Sequence, residues 1–326
     1  METKAFRIYK IGGPSVLKWE TVDVPPPGER EVLIRHKIIG LNLADIYRRR
    51  GIYKMPMPNG LGNEAVGVIE QIGKGVRGFK VGDRVGYIGG SPFDAYSQRR
   101  IARADNLILL PDSVSDRVAA ASLLKGITAQ YLLTDAYRVK KSDTILVHAA
   151  AGGVGSIMCQ WAGHIGAKVI GIVSSEDKAK FARRNGCHHT IVTRKPSFSK
   201  HIKEITNNKG VNVVYDSVGK LTWDESIASL CLRGTMISFG SASGEPPSVN
   251  IAATGALGSP FMARCALVNY TTSRRELLDR ARSLFTVIES NVVKISIKQR
   301  YPLAEAPQAQ KDMESRKTTG STILIP

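Results

Sequence analysis

The 326-residue chain is short of cysteine, with four, and of aromatic residues, at 6%. Cys159, Cys187, Cys231 and Cys265 lie far apart along the chain, without the paired spacing of a zinc ribbon or a disulfide framework. Free, buried thiols in a reducing compartment are expected. Long apolar runs are missing too. The N-terminal METKAFRIYKIGG holds no stretch long enough for a signal peptide, and no segment approaches the roughly 18 uncharged apolar residues of a spanning helix. The expectation is a soluble, cytoplasmic protein with no membrane partner. Internal repeats and low-complexity linkers are absent as well.

Negative charge is scarce relative to positive: 28 acidic residues face 46 lysines and arginines, a formal charge of +18. Such a balance suits nucleic-acid binding, attraction of an anionic cofactor, or a merely basic surface. The basic residues form short clusters such as Arg48 to Arg50, Arg99 and Arg100, and Arg274 and Arg275, without a tail or an aromatic-interleaved run. A solvated basic surface is the better reading. The length exceeds what one hydrophobic core usually fills, so two domains are expected. The 31 glycines follow no collagen-like period and point to tight turns and close backbone approaches.

From about residue 4 to 110 the chain reads as short strands broken by glycine and proline, among them AFRIYK, EVLIRHKII and AVGVIEQIG. After Pro111 the stretch VAAASLLKGITAQYLLTDAYRV reads as helix. From Thr144 onward strands and helices alternate, with TILVHA, KVIGIV, HTIVT, VNVVYD and TMISFG as the strands. Uninterrupted apolar strands between helices imply a parallel sheet covered on both faces. Val154, Ile157, Met158, Trp161, Ala162 and Ile165 recur at helical spacing and predict a helix packed on that sheet. Beyond about residue 270 come another amphipathic helix, the strand-like KISIKQRYPL and STILIP, and helical AEAPQAQKDMESR between them. This ordered tail is expected to return to the first domain.

The strongest local signal is HAAAGGVG, in which Ala150, Gly152 and Gly155 take the spacing of the dinucleotide fingerprint, with alanine in first place. It follows an apolar strand and opens an amphipathic helix, the context in which glycines let the backbone approach a pyrophosphate. A tight strand-to-helix turn without a ligand is the alternative. Roughly 20 residues on, an NAD domain carries an acid for the ribose 2′-hydroxyl. Here the second strand ends in Ser174 and Ser175, with Lys178 just inside the next helix. NADPH is therefore favoured over NADH. Arg194 and Lys195 are secondary candidates for the phosphate, although a solvated loop pair suits them as well. Asp216 to Gly219 and Phe239 to Ser241 close the fourth and fifth strands, where doubly wound sheets bind ligands; ordinary turn chemistry is the alternative.

HAAAGGVGSIMCQWA, VYDSVG, ISFGSASG and the C-terminal ESRKTTGSTILIP, with GLNLADIYRRRGIY and GLGNEAVGVIEQIGKGV near the start, resemble the NADPH:quinone oxidoreductases (zeta-crystallin-like), zinc-independent members of the medium-chain dehydrogenase/reductase superfamily. The resemblance covers essentially the whole chain. It implies an α/β fold: a Rossmann doubly wound parallel sheet, here 125–265, inserted into a mostly β GroES-like substrate domain of 1–124 and 266–326. A homodimer is implied as well. Asn42 and Tyr53 match positions lining the nicotinamide end. Thr128, Gly152, Gly153 and Val154 match the phosphate region, and Ser175 and Lys178 the 2′-phosphate site. Ser217, Phe239, Ser241 and Arg316 match further cofactor contacts. Gly163 replaces the family's usual Lys or Arg, which concerns a surface charge. Thr193 replaces a tyrosine beside the adenosine, whose contact Arg194 is placed to take over.

Zinc-dependent relatives need a catalytic Cys and a Gly-His-Glu motif. This chain has Leu43 to Asp45 and Gly62-Asn63-Glu64 in those regions, so no metal site is expected. Adjacent Cys187, His188 and His189 invite a metal reading that alternation of strand side chains opposes. Without a Lewis acid, catalysis reduces to placing the nicotinamide against a reactive quinone. Asn42, Asp45, Tyr47 and Tyr53 are the polar residues expected in the pocket, with Tyr53 orienting the acceptor; each suits a structural hydrogen bond equally. An enal or enone reductase is the alternative enzyme. An RNA-binding protein of this family, and a cofactor-binding protein without turnover, are the alternatives from other classes.

Overall fold

A computed structural model describes residues 1–90, 92–193 and 197–326. In chain order the elements begin with β1 (Glu2–Arg7), β2 (Lys18–Asp23), β3 (Glu31–Leu41), α1 (Leu43–Arg49), β4 (Glu64–Ile72), β5 (Arg84–Ile88), β6 (Arg99–Arg103), β7 (Ile108–Leu109) and α2 (Asp116–Tyr131). Then follow β8 (Thr144–Val147), α3 (Gly153–Ile165), β9 (Lys168–Val173), α4 (Glu176–Arg184), β10 (His189–Val192), α5 (Ser199–Ile205), β11 (Val211–Asp216), α6 (Trp223–Ala228), β12 (Leu230–Ser238) and β13 (Phe261–Arg264). The chain closes with α7 (Arg274–Glu289), β14 (Ile297–Pro302), α8 (Ala306–Glu314) and β15 (Ser321–Ile325). Two compact units result: 1–125 with 273–289 and 295–326, and 126–272 with 290–294.

In the first unit the sheet order among the described residues is β14-β15-β3-β4-β5-β7, with β6 also on β3. The C-terminal β15 pairs antiparallel with β3 through Thr322–Leu41 and Leu324–Ile39, so the tail completes the sheet that the N-terminal segment begins. Phe6, Ile34, Leu41, Tyr87, Leu107 and Leu324 belong to the core beneath it. Inside that core His36 Nδ1 lies 2.7 Å from the Ser97 carbonyl and Nε2 2.8 Å from the Tyr87 hydroxyl. A carbonyl only accepts, so Nδ1 carries the proton and Nε2 accepts from Tyr87. Burial holds this imidazole neutral, its pKa lowered to about 3.

In the second unit six parallel strands, counted among the described residues, run in the order β10-β9-β8-β11-β12-β13. The chain winds outward from β8 in one direction, then returns beside β8 at β11 and winds the other way. That reversal is the doubly wound topology expected from the alternation, and ligands of such sheets bind outside the carboxyl ends of the strands at the reversal point. The buried runs Ile145–Val147 and Val213–Tyr215 read as continuous hydrophobic strands because helices cover both faces.

Local departures from the sequence reading have physical causes. β13 was not among the expected strands: its side chains are mostly exposed and it pairs on one side with β12, so neither an apolar run nor alternation marks it. The helix after Pro111 keeps α geometry only to Tyr131, widens over Leu132–Ala136 and ends at extended Tyr137. Cys231 is half-exposed, against the expectation that every thiol would be buried. Cys159 and Cys187 are remote in sequence but their sulfurs are 3.3 Å apart. Of Cys187, His188 and His189, only His189 stands in β10; both histidines are exposed, the thiol is buried, and His188 Nδ1 accepts the Val169 N–H.

Candidate functional site

At the end of β8 the backbone turns through Ala149, in the left-handed region at φ +49°, to an extended Gly152 that precedes α3. A Cβ on Gly155 would run into the Ala149 carbonyl, so only glycine lets α3 start this close to the strand end. The N–H groups of Gly153, Val154 and Gly155 have no acceptor within the helix, and Gly152 offers no side chain to cap them. Such groups at the positive end of a helix dipole suit an anion.

One strand over, β9 is followed directly by Ser174 and Ser175. The Ser175 hydroxyl caps α4 by accepting the Lys178 N–H at 3.4 Å, which places Lys178 in the first helical turn beside the exposed Glu176 and Asp177. No carboxylate occupies the position directly after the strand, where Ser174 and Ser175 stand.

Beyond β11 the wholly buried Asp216 organises the next turn. Its Oδ1 accepts the Val218 and Gly219 N–H groups at 2.7 and 3.0 Å, and its Oδ2 accepts the Thr222 and Ser226 hydroxyls at 2.7 and 3.0 Å. Ser226 Oγ spends its hydrogen on Asp216, so it accepts from His148 Nε2 at 2.9 Å. Burial lowers the His148 pKa and keeps the ring neutral. This cluster ties the β8 turn to the β11 turn. After β12, Phe239 donates its N–H to the Asp216 carbonyl, and Arg264 clasps the following loop. Its guanidinium donates to Ser238 Oγ at 2.9 Å, the Gly240 carbonyl at 2.8 Å and Ser241 Oγ at 3.1 Å. The sequence reading missed Arg264 together with its strand.

The polar residues of the first unit form a second, separate arrangement. Asn42 precedes α1 and is buried; its N–H donates to Asp45 Oδ2 at 3.0 Å. Asp45, fully buried, also accepts from Asn63 Nδ2 and from the Tyr96 hydroxyl at 3.1 Å, while Gln310 Nε2 donates to Tyr96 at 3.4 Å. Burial raises the Asp45 pKa to about 6, with the nearby Arg48 charge and the hydrogen bonds opposing it. Tyr47 presents its ring edge-on to Tyr53 at 5.3 Å, and the Arg48 guanidinium lies over Tyr53 and Phe93 at 5.8 and 3.9 Å. Glu64 completes the network: it accepts the Leu124 N–H at 2.7 Å, Asn42 Nδ2 at 2.9 Å and Lys125 Nζ at 3.0 Å.

The expected cofactor residues Gly152, Gly153, Val154, Ser175, Lys178, Ser217, Phe239 and Ser241 thus share the carboxyl end of one parallel sheet. Asn42, Asp45, Tyr47 and Tyr53 gather in the first unit, which also holds the exposed Arg316, in a left-handed turn after α8. Thr128 is buried on α2 in the second unit. Arg194 lies outside the described residues. The sequence reading named neither Lys125 nor Tyr96, and did not pair Asn42 with Glu64. A lone lysine inside the apolar AAASLLKGITA was the available signal, because such a cation must be paired when buried.

Residues 28–144 match the family model for the alcohol dehydrogenase GroES-like domain, and residues 153–280 that for zinc-binding dehydrogenases. The quinone oxidoreductase of Salmonella typhimurium strain LT2 is 46% identical over 323 residues, covering 98% of both chains. The chain belongs to the quinone oxidoreductase family. Its fold superposes on a crystal structure of Escherichia coli quinone oxidoreductase complexed with NADPH with a TM-score of 0.96, at 43% identity over 99% of this chain and 100% of that one. A 2-haloacrylate reductase of a Burkholderia species is 43% identical over 98% of each chain. The zinc in the second family model's description does not suit this member. Asn63 donates to Asp45 and Glu64 is neutralised by Lys125, so these donors are already committed to one another and include neither thiolate nor imidazole.

Proposed function

We propose that this chain reduces quinones with NADPH, without zinc, by holding the nicotinamide against the acceptor. The observation that carries the reading is the pairing of an open α3 N-terminus with a β9 end where Ser175 and Lys178 stand in place of an acid. The cofactor, when bound, supplies a hydride. The Gly152, Gly153 and Val154 turn binds the pyrophosphate, and Ser175 and Lys178, with Arg194, the 2′-phosphate. Thr128, Ser217, Phe239, Ser241 and Arg316 make further contacts. Asn42 and Tyr53 orient the nicotinamide end, and Asp45 and Tyr47 line the acceptor pocket. Reduction of a quinone to the hydroquinone consumes a proton besides the hydride.

Enone reduction is the second reading, favoured by the 2-haloacrylate reductase relative. The chain acts as a cytoplasmic homodimer through the β13 edge, where Leu232, Ile251, Leu257, Phe261 and Val268 are exposed. The substrate unit is assigned to 1–124 and 266–326, the cofactor unit to 125–265. The test is oxidation of NADPH and NADH against ortho- and para-quinones and α,β-unsaturated ketones. NADPH-selective turnover of quinones is expected. Faster turnover of enones than of any quinone transfers the enzyme to the second reading.

A further inference from the structure

Glu64 and Lys125 are both buried, at 0% and 5% exposure, and their charged atoms are 3.0 Å apart. Taking two such charges out of water costs several kcal/mol per ion, and apolar residues of similar volume serve stability as well or better. The pair therefore calls for a role other than holding the fold. The same Glu64 oxygen that meets Lys125 Nζ also receives Asn42 Nδ2 at 2.9 Å, and Asn42 Nδ2 has the Gly40 carbonyl as a second acceptor at 3.4 Å. Glu64's other oxygen is engaged by the Leu124 N–H at 2.7 Å. Gly40 lies against the carboxylate so closely that a Cβ there would run into Glu64 and the Ala120 carbonyl. An Asn amide has two faces of opposite hydrogen-bonding character. Nδ2 is committed to a carboxylate and Oδ1 faces the Asp45 N–H in the capping box that starts α1, so the amide's orientation is fixed and the second lone pair of Oδ1 is what Asn42 keeps for a ligand.

We propose that Glu64 and Lys125 are positioning residues: together they lock the Asn42 amide so that its oxygen receives the carboxamide N–H of the nicotinamide. The proposal rests on the reading of Asn42 at the nicotinamide end. Lys125 pairs with the Glu64 oxygen that accepts from Asn42, the Gly40 carbonyl is the second acceptor for the same amide nitrogen, and Asn42 presents an acceptor to a primary carboxamide. Ser, Thr or a flipped Asn at the same place lacks that fixed polarity.

The test is a double-mutant cycle read by NADPH affinity, from cofactor fluorescence, alongside kcat/KM and thermal melting. Glu64→Gln keeps shape but must turn an NH2 toward either Leu124 N–H or the Asn42–Lys125 pair. It is expected to weaken NADPH binding roughly tenfold or more, as loss of a hydrogen bond to a charged group does, and Asn42→Ala by a similar factor. The double variant is expected to bind no worse than Asn42→Ala alone, because Glu64 acts through Asn42. Lys125→Met is expected to repeat the Glu64→Gln defect and Lys125→Arg to recover most of it, which keeps the cycle readable should Glu64→Gln fail to fold. Additive losses in the double variant, or an unchanged affinity in Asn42→Ala, overturn the proposal. Wild-type turnover of enones in place of quinones sinks the quinone reading instead, and leaves this cycle, measured on binding, intact.

Discussion

The two candidate regions solve their polar problems in opposite ways. At the end of the parallel sheet the working groups are backbone N–H groups of α3, exposed to a ligand because Gly152, Gly153 and Gly155 carry no side chains. In the first unit the working groups are side chains, Asn42, Asp45, Asn63, Glu64, Tyr96 and Lys125, each satisfied by another. The first region is open and depends on what is absent from a short run of residues. The second is closed and depends on residues up to 83 positions apart, from Asn42 to Lys125, being present together. A change in the first therefore strikes ligand binding, whereas a change in the second strikes stability and orientation at once.

The sharpest way to break the comparison is Gly155→Ala. The added methyl meets the Ala149 carbonyl, a backbone atom that cannot step aside, and overpacking of this kind costs about 1–3 kcal/mol. Moving the α3 start by even a fraction of an ångström adds to that. NADPH affinity is expected to fall about a hundredfold in a fluorescence titration, and wild-type affinity in this variant contradicts the backbone cradle.

Asp45→Asn comes next. A carboxyl whose folded-state pKa of about 6 lies above its unfolded value of 3.8 favours the folded state when protonated. Its destabilising contribution is fully present above pH 6 and is relieved as pH falls through 6 toward 3.8. The shift corresponds to about 3 kcal/mol. Asp45→Asn removes this titration but turns an NH2 toward either Asn63 or the Asn42 and Tyr96 donors, so its stability relative to wild type should be poorer at pH 4 than at pH 8, as followed by urea unfolding; a difference independent of pH places the charge elsewhere. His36 works in the other sense in the wild type. Its depressed pKa of about 3 leaves stability intact above its ordinary value of 6.5 and withdraws it as pH falls below that, so urea unfolding of both forms should share an acid limb.

Lys178→Ala sharpens the open region. Losing a cation that meets a phosphate costs about 1.5–3 kcal/mol, so the preference for NADPH over NADH in kcat/KM should drop at least tenfold while the NADH value stays put. An equal loss with both cofactors shows that Lys178 does not read the 2′-phosphate. The smallest effect is Ser175→Ala, where the cap to Lys178 N is long at 3.4 Å. A cost of about 0.5–1 kcal/mol in thermal stability is expected, with a separate loss of NADPH selectivity from the missing hydroxyl.

The cofactor region was legible because its signals are local. The apolar run before Ala149, the glycine spacing, the serines directly after β9 and the Lys178 that follows are all neighbours in the chain, and periodicity alone placed α3 on its sheet. In the first unit Asn42 and Tyr53 were named through family resemblance and Asp45 and Tyr47 as nearby polar residues, while Lys125 and Tyr96 went unnamed because nothing in LLKGITA or FDAYSQ says which carboxylate each will meet. Arg264 escaped for a related reason: an exposed edge strand carries no pattern, and its guanidinium acquires meaning only from the carbonyl and hydroxyls of residues 238–241.

By itself, then, the sequence determined the alternation of strands and helices, the open helix end and the serines that stand in place of an acid directly after β9, because backbone conformation and hydrophobic period are set by residues close along the chain. Only the tertiary structure decided which buried charges and amides face one another, that β15 closes on β3, and which way the Asn42 amide is turned. Those are choices between partners distant in sequence, and in a low-dielectric interior the partner, more than the residue, sets the chemistry.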